Sequence, residues 1–168
     1  MGESRMTVAI VMGSDSDEPV MREAAEALDE FGIEWQMRIL SAHRTPDDAI
    51  AFARSAKQNG VSVLIAGAGG AAHLAGVLAA ATPLPVIGVP IPLKTMSGLD
   101  SLLSMAQMPR GVPVATVAIG GARNAGLLAA RIIGISDERV GTAVVDFQEK
   151  LAAEVRAKDA ALQERLSK

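Results

Sequence analysis

The chain has 168 residues, 49% of them hydrophobic, with 16 glycines, two histidines and no cysteine. That length suits one domain burying its own core, and the lack of cysteine excludes disulfides and thiolate metal sites. A net charge of −3 without a basic tract argues against a nucleic-acid partner, and no apolar run reaches the roughly 18 residues needed to span a bilayer.

The elements alternate in chain order. Thr7 to Met12 is a short apolar run suited to a strand buried on both faces. A helix is expected from about Asp17 to Phe31, with Val20, Ala24, Ala27, Leu28 and Phe31 on one side and Gly32 as its stop. Ile33, Trp35, Met37 and Ile39 alternate with polar residues, which predicts a half-buried strand near a sheet edge. Pro46 to Asn59 reads as the second helix and Val61 to Ala66 as the third strand. A small-residue helix is expected from about His73 to Ala81, a fourth strand over Pro85 to Val89, and a helix from about Leu99 to Gln107. Val114 to Ile119 and Ala122 to Ile133 complete the fifth pair.

Such alternation implies an α/β fold of three layers, a parallel five-stranded sheet between helices with right-handed crossovers. For five strands the flavodoxin-like order 2-1-3-4-5 is expected. The chain is therefore taken as a single domain over 1–168, with an α/β core over 1–135. Beyond it, 136–168 reads as one long helix capped by Ser136. Its apolar residues Val140, Val144, Phe147, Leu151, Val155, Leu162 and Leu166 recur at helical spacing. So long a stripe after a complete domain needs another surface, and the tail is expected to pack on a neighbouring subunit. Met1 to Met6 holds no signal-peptide core, so the chain is expected in the cytoplasm.

Chemistry collects in three loops. In an open parallel sheet, ligands bind beyond the carboxyl ends of the strands where the strand order reverses. The first loop, Gly13-Ser14-Asp15-Ser16-Asp17, offers backbone N–H groups and hydroxyls for a phosphate, and Asp17 could accept from ribose hydroxyls. The second, Ser41-Ala42-His43-Arg44-Thr45-Pro46, sets an imidazole beside a guanidinium. Arginine grips phosphate or carboxylate as a fork, and histidine exchanges a proton near neutral pH. The third, Gly67-Ala68-Gly69-Gly70-Ala71-Ala72-His73, presents backbone to anything that approaches. No acid follows about twenty residues on, as a dinucleotide site requires. His73 at a helix start is read as a supporting or structural histidine rather than the proton carrier.

Rival classes meet specific obstacles. A phospho-receiver would end its third strand in aspartate, where Gly67 stands. A flavin carrier needs aromatic walls, and the three loops contain no Phe, Tyr or Trp. A non-catalytic nucleotide-binding module remains as an alternative, though it leaves His43 unexplained.

With these loops the chain resembles the bacterial (class I) N5-carboxyaminoimidazole ribonucleotide mutases, described as the catalytic subunit of phosphoribosylaminoimidazole carboxylase in purine biosynthesis. The match runs through the two serine-bearing loops above and Gly70-Ala71-Ala72-His73-Leu74. It continues through Ser97-Gly98-Leu99-Asp100-Ser101-Leu102-Leu103-Ser104, Gln107-Met108-Pro109, Gly111 to Thr116, and Asn124-Ala125. Ala75 stands where the family often has proline, and Gly126 where alanine is common. The resemblance implies a ribonucleotide substrate held by Ser14, Asp17 and Arg44, with Ser41, Gly69, Gly70, Ala71, His73 and Leu74 lining the pocket. It makes His43 the general acid/base of an isomerase that moves a carboxyl group from the exocyclic nitrogen to ring C4. It implies no cofactor and no metal. It also implies a homo-oligomer, octameric in the family, and transient contact with the synthetase that forms the carbamate. A carboxylase using free carbon dioxide is the alternative within the family.

Overall fold

The computed structural model describes residues 6–167; the leader expectation at Met1 to Met6 concerns, but for Met6, residues outside that range. Strands β1 (Thr7–Met12), β2 (Glu34–Ile39), β3 (Val61–Gly69), β4 (Val86–Ile91) and β5 (Ala115–Thr116) form one parallel sheet in the order 2-1-3-4-5. Helices α1 (Glu18–Glu30), α2 (Pro46–Ala56), α3 (Leu74–Ala81), α4 (Leu99–Ala106) and α5 (Ala122–Ile133) join and cover it, and α6 (Glu138–Leu166) follows. The expected flavodoxin-like architecture is the one observed.

Strand alternation divides the core in two. Val8, Ile10 and Met12 face α1, α5 and the first turns of α6, where Leu28, Ala129, Ile133 and Val140 are buried. Ala9 and Val11 face the other way, toward Ala49 and Ala53 of α2, Leu78 of α3 and Met105 of α4. Successive residues point to opposite sides of a strand, so a strand covered on both faces must be apolar throughout. That is why β1 reads as an unbroken apolar run.

The small side chains allow unusually close helix packing. A Cβ on Gly126 would lie 2.6 Å from the Ala24 carbonyl oxygen and 2.8 Å from the Ala27 Cβ, so the α1–α5 contact requires glycine there. Both departures from the family pattern, Ala75 and Gly126, lie within helices α3 and α5. Ala75 is buried and Gly126 lies against α1, so both act on helix packing.

Several boundaries differ from the sequence expectation. β3 runs on to Gly69, and α2 ends at Ala56, before a turn that reaches Gly60 at φ +81°. β5 keeps only two of the six expected residues. Pro113 precedes it without an N–H to donate, and beyond Val117 the chain turns through Gly120 at φ +68°, with the Gly121 N–H donating to the Ala118 carbonyl. Ser136 does not cap α6; Asp137 does, its Oδ1 accepting the Val140 N–H at 3.1 Å. Ile39, expected inside, is 57% exposed as the last residue of an edge strand. Trp35 packs beside the core, its Nε1 donating to Asp29 Oδ1 at 2.8 Å.

The tail divides as well. Its first turns belong to this domain, with Phe147 edge-on to Phe31 at 5.7 Å between ring centroids. Leu151, Val155, Leu162 and Leu166 stay exposed. No helix among the described residues is long and apolar enough to cross a membrane.

Substituting Gly126→Ala should therefore lower stability despite the better helix propensity of alanine. Overpacking of this kind costs about 1–3 kcal/mol, against about 1 kcal/mol gained in propensity. Urea unfolding reads the difference, and an unchanged or raised midpoint would contradict the close α1–α5 contact.

Candidate active site

Sheet register brings three loops to one level. Met12 at the end of β1 pairs with Ile39 of β2 and with Gly67 of β3. The loops after β1, β2 and β3 therefore emerge side by side, with the β1 loop in the middle, next to the reversal of strand order. β2 and β3 lie two strand spacings apart, about 10 Å, so their side chains can meet only across the end of β1. Gly13 occupies that end, and a Cβ there would find nothing within 4 Å.

The first loop folds on itself. Asp15–Asp17 makes a short 3-10 turn capped by Ser14, whose Oγ accepts the Ser16 N–H at 3.3 Å. Ser16 Oγ donates to Ser14 Oγ at 2.9 Å and lies 3.3 Å from Asp17 Oδ1. Asp17 is buried and makes no capping bond to α1. Burial pushes its carboxyl above the ordinary 3.8, while hydrogen bonds from Ser16 and from the Ser14 backbone pull it down and Asp15 adds repulsion.

The second loop is tied by its own hydroxyls. The Ser41 N–H donates to Thr45 Oγ1 at 3.0 Å, and Ser41 Oγ accepts the Arg44 N–H at 3.1 Å. Thr45 is thus committed to Ser41 and makes no side-chain cap on α2. This frame turns the Arg44 guanidinium to the first loop, where Nη2 donates to the Gly13 carbonyl at 3.1 Å. It turns His43 the other way, to the third loop.

His43 Nε2 lies 2.8 Å from His73 Nδ1, the rings nearly perpendicular at 86° with centroids 4.9 Å apart. These are the only histidines in the chain. Nothing in the 30 residues of separation signals the contact. A bond between two ring nitrogens requires one donor and one acceptor. While it persists, at most one of the two imidazoles is cationic, since two imidazoliums would oppose N–H to N–H.

The third loop turns sharply to place His73. Gly70 sits at φ +64°, and the Ala72 N–H donates to its carbonyl at 2.8 Å. His73 precedes α3 without capping it, and Leu74 is buried beneath. Behind the loop stands a group that the spacing did not reveal. Ser101 Oγ accepts the Gly70 N–H and donates to the Ile91 carbonyl, both at 2.9 Å. Leu93 lies against Gly69, 3.1 Å from where a Cβ would be.

All predicted site residues thus fall in one cluster, with Ser14, Ser41, Gly69 and Gly70 half-buried and His43, Arg44, Ala71 and His73 exposed. A cavity of about 750 Å³ lies at the other end of the strands, beside Gly32 and Val140. Its Arg139 guanidinium is already spent on the Phe31 and Gly32 carbonyls, and the cavity holds none of the loop residues. Among the described residues no group of three or more His, Asp or Glu could hold a metal.

Residues 7–154 match the family model described as AIR carboxylase. A Mycobacterium leprae protein named N5-carboxyaminoimidazole ribonucleotide mutase is 62% identical over 156 residues, covering 93% of this chain and 91% of that protein. The Thermotoga maritima protein of the same name is 56% identical over 151 residues, covering 90% and 88%. The crystal structure of Treponema denticola PurE superposes with a TM-score of 0.86 at 31% identity, covering 94% of this chain and 99% of that one. The order of the strands, the matched loops and these relatives agree: the chain belongs to the AIR carboxylase family.

Proposed function

We propose that the chain is an N5-carboxyaminoimidazole ribonucleotide mutase, acting in the cytoplasm, with His43 as its general acid/base. The observation that carries this reading is the 2.8 Å His43–His73 contact between the second and third loops, with Arg44 tied to the Gly13 carbonyl of the first. Relatives at 52–62% identity bearing the mutase name support the reaction type.

In the proposed reaction, protonated His43 delivers its proton to the exocyclic nitrogen as the N–CO2 bond breaks, leaving carbon dioxide and aminoimidazole ribonucleotide. The enamine-like ring then attacks carbon dioxide through C4. His43, now neutral, removes the C4 proton and the ring regains aromaticity, so the enzyme ends in its starting protonation state. Carbon dioxide is small and apolar, and a wall of Gly69, Gly70 and Ala71 holds it without competing polar groups. Keeping it in place replaces a bimolecular recapture, an effect worth up to about 7–11 kcal/mol. The imidazole pair suits both proton steps when His43 Nε2–H donates to His73 Nδ1: His43 Nδ1 is then left to carry the proton as acid and, once it has given it up, to act as base.

Ser14, Asp17 and Arg44 bind the nucleotide in this reading, Arg44 exchanging its Gly13 carbonyl for the substrate anion. A carboxylase drawing on free carbon dioxide is the second reading, favoured by the 55% identity to the chloroplast phosphoribosylaminoimidazole carboxylase of Vigna aconitifolia. This chain corresponds to only 26% of that protein. The tail implies a homo-oligomer, an octamer by resemblance, because exposed Leu151, Val155 and Leu162 need a second copy to cover them. Transient contact with the carbamate-forming synthetase would limit loss of the labile substrate.

Purified enzyme given the carbamate without bicarbonate should form the C4 carboxylate, whereas dependence on high dissolved carbon dioxide would indicate the carboxylase. His43→Asn should slow that conversion by at least the 10²–10⁴-fold typical of lost acid–base catalysis, with nucleotide binding retained; substantial turnover would move the proton role elsewhere. Asp17 gives a test of opposite sign. Its raised pKa favours the folded state fully below about 3.8, an advantage lost as pH rises through the folded value. Asp17→Asn should therefore raise the melting temperature at neutral pH, the gain fading toward pH 3.8, while weakening nucleotide binding. Calorimetry showing a lower neutral-pH melting temperature would contradict this. Deleting residues 151–168 should reduce the assembly size seen by light scattering while leaving the circular dichroism of the core intact. An unchanged subunit number would return the tail to its own domain.

A further inference from the structure

Ser101 is one of two buried polar residues among those described, the other being Asp17, and it is fully enclosed. A buried hydroxyl is costly unless its hydrogen-bonding capacity is met, and here both directions are used. The proton goes to the Ile91 carbonyl at the end of β4, and a lone pair takes the Gly70 N–H at the end of β3. Ser104, one turn later on α4, donates to the Asp100 carbonyl at 2.7 Å, and its Oγ lies 3.3 Å from the Gly70 carbonyl, on the next peptide unit. Gly70 is the left-handed residue, at φ +64°, where the loop leaves the sheet, three residues before His73.

We infer that Ser101, with Ser104, is a positioning residue that fixes the Gly70 peptide and through it the His73 imidazole against His43. β3 and β4 are paired through Gly69↔Ile91. Beyond that pair Gly70 has no ladder partner, and glycine has the widest backbone freedom of any residue. The serine hydroxyl continues the sheet by one hydrogen bond where the strands no longer can. It holds the Gly70 N–H, Ser104 stands against the Gly70 carbonyl that the Ala72 N–H already engages, and the direction of the turn to Ala71–His73 is set. α4 thereby acts on the proton-transfer pair without touching substrate. A misplacement of about 1 Å at a reacting group can cost roughly 10²-fold, so the geometry of this peptide bears directly on turnover. The inference rests on the proposed mutase reaction for its kinetic consequence but not for its spectroscopic one.

With only two histidines in the chain, the pair can be observed directly. NMR of full-length protein labelled at histidine should give two imidazoles, with the His43–His73 bond visible as a fixed tautomer on each ring. In Ser101→Ala that bond should loosen and the tautomers should average. Turnover of the carbamate should fall about 10- to 10²-fold with KM nearly unchanged, and a larger share of the substrate should end as free aminoimidazole ribonucleotide and carbon dioxide. Ser101→Cys, which keeps a weak donor and acceptor, should recover part of both signals. If Ser101→Ala does not fold, Ser104→Ala, only half-buried, should shift the same tautomers and the same partition to a smaller degree. An unchanged histidine spectrum in the variant that folds would overturn the inference, as would wild-type turnover with wild-type partition. Failure of the wild-type enzyme to convert the carbamate would count against the proposed reaction alone, since the spectra would still report on Ser101.

Discussion

The pairing of β1 with β3, sealed on both faces, is the constraint from which the rest of the molecule follows. Neither strand can slip without driving Val8, Ile10 and Met12 out of one layer and Ala9 and Val11 out of the other. Their register sets Met12 opposite Gly67, and Ile39 is brought level by the same β1 residues. Three chain exits therefore open at one height, and two ties join them, Arg44 to Gly13 and His43 to His73, while Ser101 of α4 braces the third at Gly70. Stability resides in the apolar layers, while the polar ties above them decide which way the loops face.

Small residues serve two ends in this chain. Gly126 lets α5 approach the backbone of α1, and Gly67 leaves room for Met21, whose sulfur lies 2.4 Å from where a Cβ would be. At the loops the same economy of side chain clears the space above β1 so that two imidazoles from strands that are not neighbours can meet.

Much of this could be read from the residues. The unbroken apolar run at Thr7–Met12, the alternation through Trp35 and Met37, and the glycine stops gave the order of elements, and the reversal rule gave the three loops. What escaped was of two kinds. Ends of elements depended on partners: β5 is cut short by Pro113 and the Gly120 turn, and the cap of α6 passed from Ser136 to Asp137 because the following N–H groups point to the latter. Contacts across the sheet depended on register, which local periodicity does not encode. The spacing from His43 to His73, or from Gly70 to Ser101, has no helical or strand period behind it. Ser101 belongs to a motif of the family resemblance, but only its burial shows that its hydroxyl is enclosed. Family resemblance supplied the chemistry of the loops, yet it did not foretell that the histidines would share a hydrogen bond.

The lone indole has a practical corollary. Trp35 lies near the start of the edge strand, its nitrogen bonded to Asp29 at the end of α1. Intrinsic fluorescence of this protein is then a gauge of whether one helix stays docked on one border strand. Loss of the Trp35–Asp29 bond marks the parting of α1 from that border strand.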